Sequence, residues 1–148
     1  ILIAGILGIL WYISRRKMGI SGRLWHLWRK PCKTPVKSAK ILLDAGECRG
    51  ANNRAYYGIY HAISAIHALD GNAYKRHKDA LANFNKNYIK TEIFPRILGR
   101  KIAEAEEIRH ASDYDDFYIA TREEAEEQID TAVELVEKIE EYVLKEMG

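Results

Sequence analysis

"NNRAYYGIYHAISAIHAL", residues 52–69, decides the architecture of the chain. Its apolar residues recur at spacings of three and four, the period of a helix, and no stretch elsewhere shows the strict alternation of a strand. The segment nevertheless carries one Arg, two His and three Tyr. A plain core helix avoids such groups, because each buried polar atom needs a partner. Arg54, Tyr57, Gly58 and His61 stand at i, i+3, i+4 and i+7 and so share one face. Gly58 costs about 1 kcal/mol against Ala in a helix, which points to something approaching the backbone closely, either a packed neighbour or a ligand. Two readings stay open for this face. Arg54 is held by a carboxylate with His61 hydrogen-bonded in the core, or the face is one wall of a polar cleft.

Outward from this segment the helical period continues. Residues 36–48 read as a short helix, with "RGANN" supplying the turn, and Gly71 in "DGN" is the natural left-handed cap after residue 69. A third helix is expected over about 77–89, with Ala80, Leu81, Phe84, Tyr88 and Ile89 inward. A fourth starts near Pro95, a residue suited to a first helical position. It runs to about 111 with Ile97, Leu98, Ile102, Ala105 and Ile108 on its inner stripe. The fifth opens at Thr121, where Thr121 and Glu124 match a capping box. Residues 112–120 are the longest connection. The fold expected is all-α, an antiparallel bundle of four to five helices.

At 148 residues one domain of ordinary size accounts for the chain. Charge is divided sharply along it: residues 1–40 hold nine Lys or Arg and no acid, whereas residues 41–148 are net −7. The main domain therefore offers no uniform basic surface, and a nucleic-acid site on it has to be a local pocket. Cys32 and Cys48 show no redox or metal spacing, so a reduced, cytoplasmic setting is expected.

The opening residues, "ILIAGILGILWYISRRKMG", contain a run of thirteen apolar residues, short of the roughly 20 that cross a bilayer. The positive charges follow that run, the reverse of a secretory signal. Three readings remain: the end of a membrane helix, sequence upstream of a start at Met18, or a first helix packed on the bundle. Membrane association is not expected. "KPCKTP" (30–35), with two prolines, reads as a break, so residues 1–35 are set apart from a domain at 36–148.

Three further groups do not fit a bland bundle. Arg109 stands eleven residues after Leu98 and so falls near the inward face. A buried Arg demands an anion, and Asp113, four residues on, or a phosphate would serve. His110 and Tyr114 lie beside it in "RHASDYDD". In "YKRHKD", Lys75, Arg76, His77 and Lys78 gather at a helix start, where unpaired amides favour a phosphate; a merely solvated run is the alternative. No Gly-rich phosphate loop, zincin motif or nucleophile elbow occurs. The five His are not spaced as ligands on one helix face, so neither a metal nor a cofactor is expected.

"NNRAYYGIYHAISAIHAL", "KRHKDALANF", "YIKTEIFPRILGRKIAEAEEIRHASDYDDFY" and "TREEAEEQIDTAVELVEKIEEYV" occur in an order that resembles the HEPN domain (higher eukaryote and prokaryote nucleotide-binding) over residues 36–145. The likeness is to the small prokaryotic branch with an Arg-Ala-Tyr-Tyr helix and a later Arg…Asp-Tyr-Asp signature. The resemblance implies a homodimeric bundle, paired with a minimal nucleotidyltransferase as a toxin–antitoxin system and directed at RNA or a nucleotide. It also implies metal-independent ribonuclease chemistry, in which an Arg stabilises phosphate charge and a His after four to six intervening positions transfers protons. Arg109 and His110 match the start of that motif, but positions 114–116 are Tyr114, Asp115 and Asp116. The motif's His is therefore absent from its place. The candidate catalytic set is Arg109, His110 and His61. Arg54, Tyr57, Lys75, Arg76, His77, Asp113 and Tyr114 form the candidate binding set. Tyr114 and Tyr118 are the tyrosines that a nucleotidyltransferase partner of this kind would modify. A non-catalytic partner module built on a buried Arg–Asp network is the alternative.

Overall fold

The computed structural model describes residues 29–147, apart from the Met147 side chain. The three readings of the apolar opening fall on residues that lie outside this range. Five α-helices make an all-α antiparallel bundle, with no strand among the described residues: α1 (29–44), α2 (Cys48–Leu69), α3 (His77–Phe84), α4 (Arg96–Tyr114) and α5 (Arg122–Met147). Central α2 packs on α5, α4 and α3. Its Ala51, Ala55, Ile59, Ala62, Ile63 and Ile66 are at most 1% exposed.

The break expected at residues 30–35 is not there. Those residues belong to α1, and the expected domain boundary at residue 36 falls inside that helix. Cys32, Val36, Ala39 and Leu43 form a stripe at i, i+4, i+7 and i+11, all buried. Burial of such a stripe holds the helix through two prolines, and the Thr34 hydroxyl adds a bond to the Lys30 carbonyl at 2.9 Å in the disturbed turn. Cys32 is inert by environment, its thiol pushed up to about 12 by burial first and the Glu140 charge second.

A Cβ on Gly58 would lie 2.7 Å from Val36 Cγ2. The close approach that this glycine permits is thus α1 against α2, the packed neighbour rather than a ligand. Gly71 takes φ of 77° after α2, as its place in "DGN" suggests.

The third helix departs from the expected continuous run over 77–89. After Phe84 the chain widens into a π-helical turn, Asn85–Ile89. The wider turn keeps both Tyr88 and Ile89 buried under the same layer as Phe84. Phe84 stacks on Tyr88 at 5.3 Å and on Phe94 at 5.6 Å between ring centroids. α4 starts after Pro95, whose ψ of 141° makes it the flanking cap rather than the first helical residue. The inner stripe of α4 is narrower than expected. Leu98, Ile102 and Ala105 are buried, whereas Ile97 is 44% exposed and Ile108 only half-buried. Neighbours in sequence point about 100° apart on a helix, so Ile97 cannot share the Leu98 face. α4 also extends three residues beyond the expected end, to Tyr114. At α5 the Glu124 amide donates to Thr121 Oγ1 at 3.2 Å, one half of the expected capping box. The other half is lost because the Glu124 carboxylate accepts the Tyr118 hydroxyl instead.

Candidate functional site

The polar side of α2 meets the last turns of α4 and the start of α3. Asn52 Nδ2 donates to Ser112 Oγ at 3.1 Å, a buried bond that holds the two helices in register. One residue on, Asn53 Nδ2 donates to both Asp113 oxygens, at 3.1 and 2.9 Å. Asp113 also lies 3.1 Å from Arg109 Nε, with the two side chains 24% and 18% exposed. That contact is an ion pair by distance only. Its angle is poor, and Nε counts as a buried donor without a hydrogen-bond partner. Arg109 Nη2 donates to the Tyr57 hydroxyl at 3.4 Å. Its guanidinium also lies 5.4 Å from the Tyr56 ring, 5.7 Å from Tyr57 and 5.9 Å from Tyr114.

Arg54 reaches the same tyrosine from α2, with its guanidinium carbon 4.8 Å from the Tyr57 ring centroid. Its Nε and Nη2 both donate to Asn53 Oδ1, at 3.0 and 2.7 Å. It makes no ion pair among the described residues. The Arg54 and Arg109 guanidinium groups thus both lie at the Tyr57 ring. Only Arg109 is matched by a carboxylate.

Two histidines complete the cluster. His77 opens α3 and sits in a cage of tyrosines. Its ring is 3.8 Å from Tyr60 and 5.8 Å from Tyr57, and its Nδ1 is 3.3 Å from the Tyr56 hydroxyl. Burial, and then the Arg109 charge, hold its pKa below the ordinary imidazole value, against an opposing pull from Glu106. His61 lies 6.2 Å from the Tyr57 ring and 5.8 Å from Tyr60. Its pKa is lowered too, by burial first and then by Arg54 and His77. Both rings are therefore mainly neutral at pH 7 and able to accept a proton. Arg109 keeps its charge: burial works against it, but the Tyr57 hydrogen bond and the fields of Tyr57, Asp113 and Tyr114 more than compensate.

Of the candidate residues, Arg54, Tyr57, His61, His77, Arg109, Asp113 and Tyr114 are thus brought together. His110 is not. It is exposed and touches the cluster only through Tyr114, whose ring lies 4.9 Å away. Lys75 and Arg76 also point into solvent, and Arg76, 84% exposed, pairs with Asp79 at 3.3 Å. Tyr118 is tied to Glu124, and burial followed by that bond raises its pKa.

Sequence reasoning missed Asn53, Tyr56, Tyr60 and Glu106. Asn53, Tyr56 and Tyr60 flank the chosen face at i, i+3 and i+7, so a slightly wider view of the same helix would have found them. Nothing local marked Glu106. The arrangement offers two fixed cations for a phosphate, neutral imidazoles for proton transfer, and aromatic faces for a base.

The chain is similar to several known proteins. The HEPN domain family matches residues 25–142. A protein of Thermotoga maritima named "UPF0332 protein" is 28% identical over 121 residues, 82% of this chain and 92% of its own length. A protein of Methanocaldococcus jannaschii named "Putative toxin MJ0605" is 31% identical over 112 residues, 76% of this chain and 82% of its own. With the family spanning most of the described bundle and the helices folding as that family requires, the chain belongs to the HEPN domain family.

Proposed function

We propose that this chain is the toxin-like member of a pair with a minimal nucleotidyltransferase, binding RNA or a nucleotide at the Arg54–Arg109 cluster. In this reading the two guanidinium groups hold phosphate oxygens, and His61 and His77 replace the histidine missing after Arg109. The 2′-hydroxyl of an RNA loses its proton to one imidazole as its oxygen bonds the adjacent phosphorus and the P–O5′ bond breaks. The imidazolium so formed returns the proton to the departing 5′-oxygen, while Arg109 stabilises the charge that develops on the phosphate oxygens. The single observation that carries this reading is the convergence of Arg54 and Arg109 on Tyr57, with a buried guanidinium N–H still lacking a hydrogen-bond partner. The archaeal relative named as a toxin supports the same direction.

A homodimer and the nucleotidyltransferase partner belong to this reading. Tyr114, Phe117 and Ile119 are 67%, 94% and 82% exposed beside the cluster, which suits a surface that a partner covers. Tyr114 is also the more accessible acceptor for a nucleotidyl group, since the Tyr118 hydroxyl is occupied. No helix among the described residues is long and apolar enough to cross a membrane.

A second reading is favoured by Asp113, which Arg109 and Asn53 grip together. There the network is only a lock between α2 and α4, and the protein is a non-catalytic partner module. Arg109→Ala separates the two. The functional reading expects loss of RNA cleavage or growth arrest with the fold intact. The lock expects about 3–5 kcal/mol of destabilisation from an orphaned partner charge. Toxicity that survives in Arg109→Ala overturns the proposal.

A further inference from the structure

The half-buried side of α2 continues past the cluster. Arg54, Tyr57, His61 and Ser64 follow at i, i+3, i+7 and i+10, each half-buried. At 1.5 Å per residue this ridge covers about 15 Å. At its far end a groove of about 290 Å³ opens between α2 and the connection to α3. Tyr60, His61, Ser64 and His67 line it from the helix, and Asn72 and Tyr74 from the connection. His61 therefore borders both the cationic cluster and the groove.

The chemistry of the groove differs from that of the cluster. None of its lining side chains is a Lys, Arg, Asp or Glu, so nothing there recognises an anion or an amine. Its rim is aromatic, and Tyr60 already has one ring stacked on it, that of His77. Among the described residues, neither the Ser64 hydroxyl nor the Asn72 side-chain amide bonds to another side chain or to backbone, which leaves donors and acceptors at the opening. Deeper in, His67 pairs through Nε2 with the Ala80 carbonyl at 2.9 Å. A carbonyl only accepts, so the proton sits on Nε2 and Nδ1 is left as an acceptor. No donor among the described residues reaches that Nδ1, although it is buried.

We infer that this groove is a subsite for a neutral planar heteroaromatic ring, the base of a nucleotide whose phosphate lies toward Arg54. The assignment rests on the phosphate role proposed for the cluster. A base offers ring faces to tyrosines and edge donors and acceptors to Ser64, Asn72 and the histidines. The groove is at the small end of ligand pockets, the scale of one base rather than of an extended chain. An aliphatic ligand would leave the polar edges unmatched.

The test uses the whole chain and backbone amide NMR, titrated with the four ribonucleoside 5′-monophosphates, their nucleosides and ribose 5-phosphate. At least one monophosphate is expected to shift the amides of Ser64, Asn72 and Tyr74 together with those near Arg54. Ribose 5-phosphate is expected to shift only the latter. Ser64→Trp, which fills the groove, should weaken the preferred nucleotide at least about tenfold and leave ribose 5-phosphate unchanged. Because Ser64→Trp puts α2 packing at risk, exposed Asn72→Ala is the second variant, with an expected loss of about fivefold.

Each outcome bears on one of the two ideas. Nucleotide and ribose 5-phosphate binding equally, with silent groove amides, overturns the subsite and leaves the cluster reading standing. Nucleosides that bind the groove while phosphates leave the cluster unmoved support the subsite and sink the cluster reading. No binding by any of these probes overturns both.

Discussion

α2 has two sides, and they obey different rules. On one, Ala51, Ala55, Ile59, Ala62, Ile63 and Ile66 are sealed from solvent, and their positions are decided by shape and apolar area alone. On the other, Arg54, Tyr57, Tyr60, His61 and Ser64 are all half-buried, and the first four meet polar or aromatic partners: an amide oxygen, a guanidinium, a ring face. The first side explains why the helix sits at the centre. The second adds polar ties to α4 and half-buries one guanidinium, Arg54, and one imidazole, His61. Such a side beside a sufficient apolar one is what the proposed ligand role would account for, and the lock between α2 and α4 is the competing account.

Truncation on each side gives the largest contrast. Ile63→Ala leaves a cavity in a site that is 0% exposed and should cost about 2–5 kcal/mol in denaturant unfolding. Arg54→Ala removes a side chain whose only hydrogen bonds among the described residues are to its neighbour Asn53. Its cost should stay within about 1 kcal/mol, while RNA cleavage or nucleotide binding is lost. Equal destabilisation by the two variants would erase the distinction between the sides.

Gly58 lies at the seam, and its replacement probes the packed side from outside. Gly58→Ala places a methyl 2.7 Å from Val36 Cγ2. The gain in helix propensity, about 1 kcal/mol, is set against overpacking of about 1–3 kcal/mol. Net destabilisation is expected, with no change in ligand binding. A variant that melts later than the parent would show that α1 yields easily.

Asp113→Asn sharpens the polar side. The new amide oxygen still accepts from Asn53, but Arg109 loses its charge partner. Both side chains are partly solvated, so the functional reading expects a stability loss on the order of 1 kcal/mol or less, whereas the lock expects the larger loss of an orphaned charge. If Asp113 competes with a phosphate for Arg109, affinity for a phosphate-bearing ligand rises. If the ion pair is only a lock, affinity stays absent. Isothermal calorimetry with ribose 5-phosphate decides between them.

How much of this was legible follows the same division. The apolar stripes of α2 and α5 are written plainly at spacings of three and four, because burial selects for a period. α1 was half-hidden: Pro31 and Pro35 signal a break locally, and only the tertiary burial of Cys32, Val36 and Ala39 overrides them. The π turn was invisible, since residues 85–89 have no composition that distinguishes i+4 from i+5 pairing. At the site, Arg54, Tyr57, His61 and Arg109 stood out as polar groups on apolar faces. Asn53 and Tyr60 did not, because an exposed-looking Asn and one more Tyr carry no local anomaly. Which partner Arg109 takes is a matter of side-chain geometry across two helices, and no one-dimensional spacing encodes it.

The smallest effect is a pH dependence carried by the histidines. His61, His67 and His77 all have pKa values lowered in the folded chain, with burial the leading cause in each. An unfolded His titrates near about 6.5. Between that value and the lower folded ones, the unfolded chain binds more protons than the folded chain, so stability falls as pH drops through this window. Above it the three residues contribute no slope. Asp70 works the other way: burial raises its carboxyl, so its contribution is lost as pH climbs above the ordinary carboxylate range, in a lower window than the histidines. Thermal melts from pH 7.5 to 5.5 should therefore decline below about 6.5, and His77→Gln should flatten part of the decline. His67 is the internal control. It lies 1% exposed among the core rings, outside the cationic cluster, so a bound phosphate should raise the pKa of His61 and His77 and leave that of His67 alone. Imidazole NMR shifts that move together in all three on adding ribose 5-phosphate would mean a general change of fold rather than a ligand at the polar side of α2.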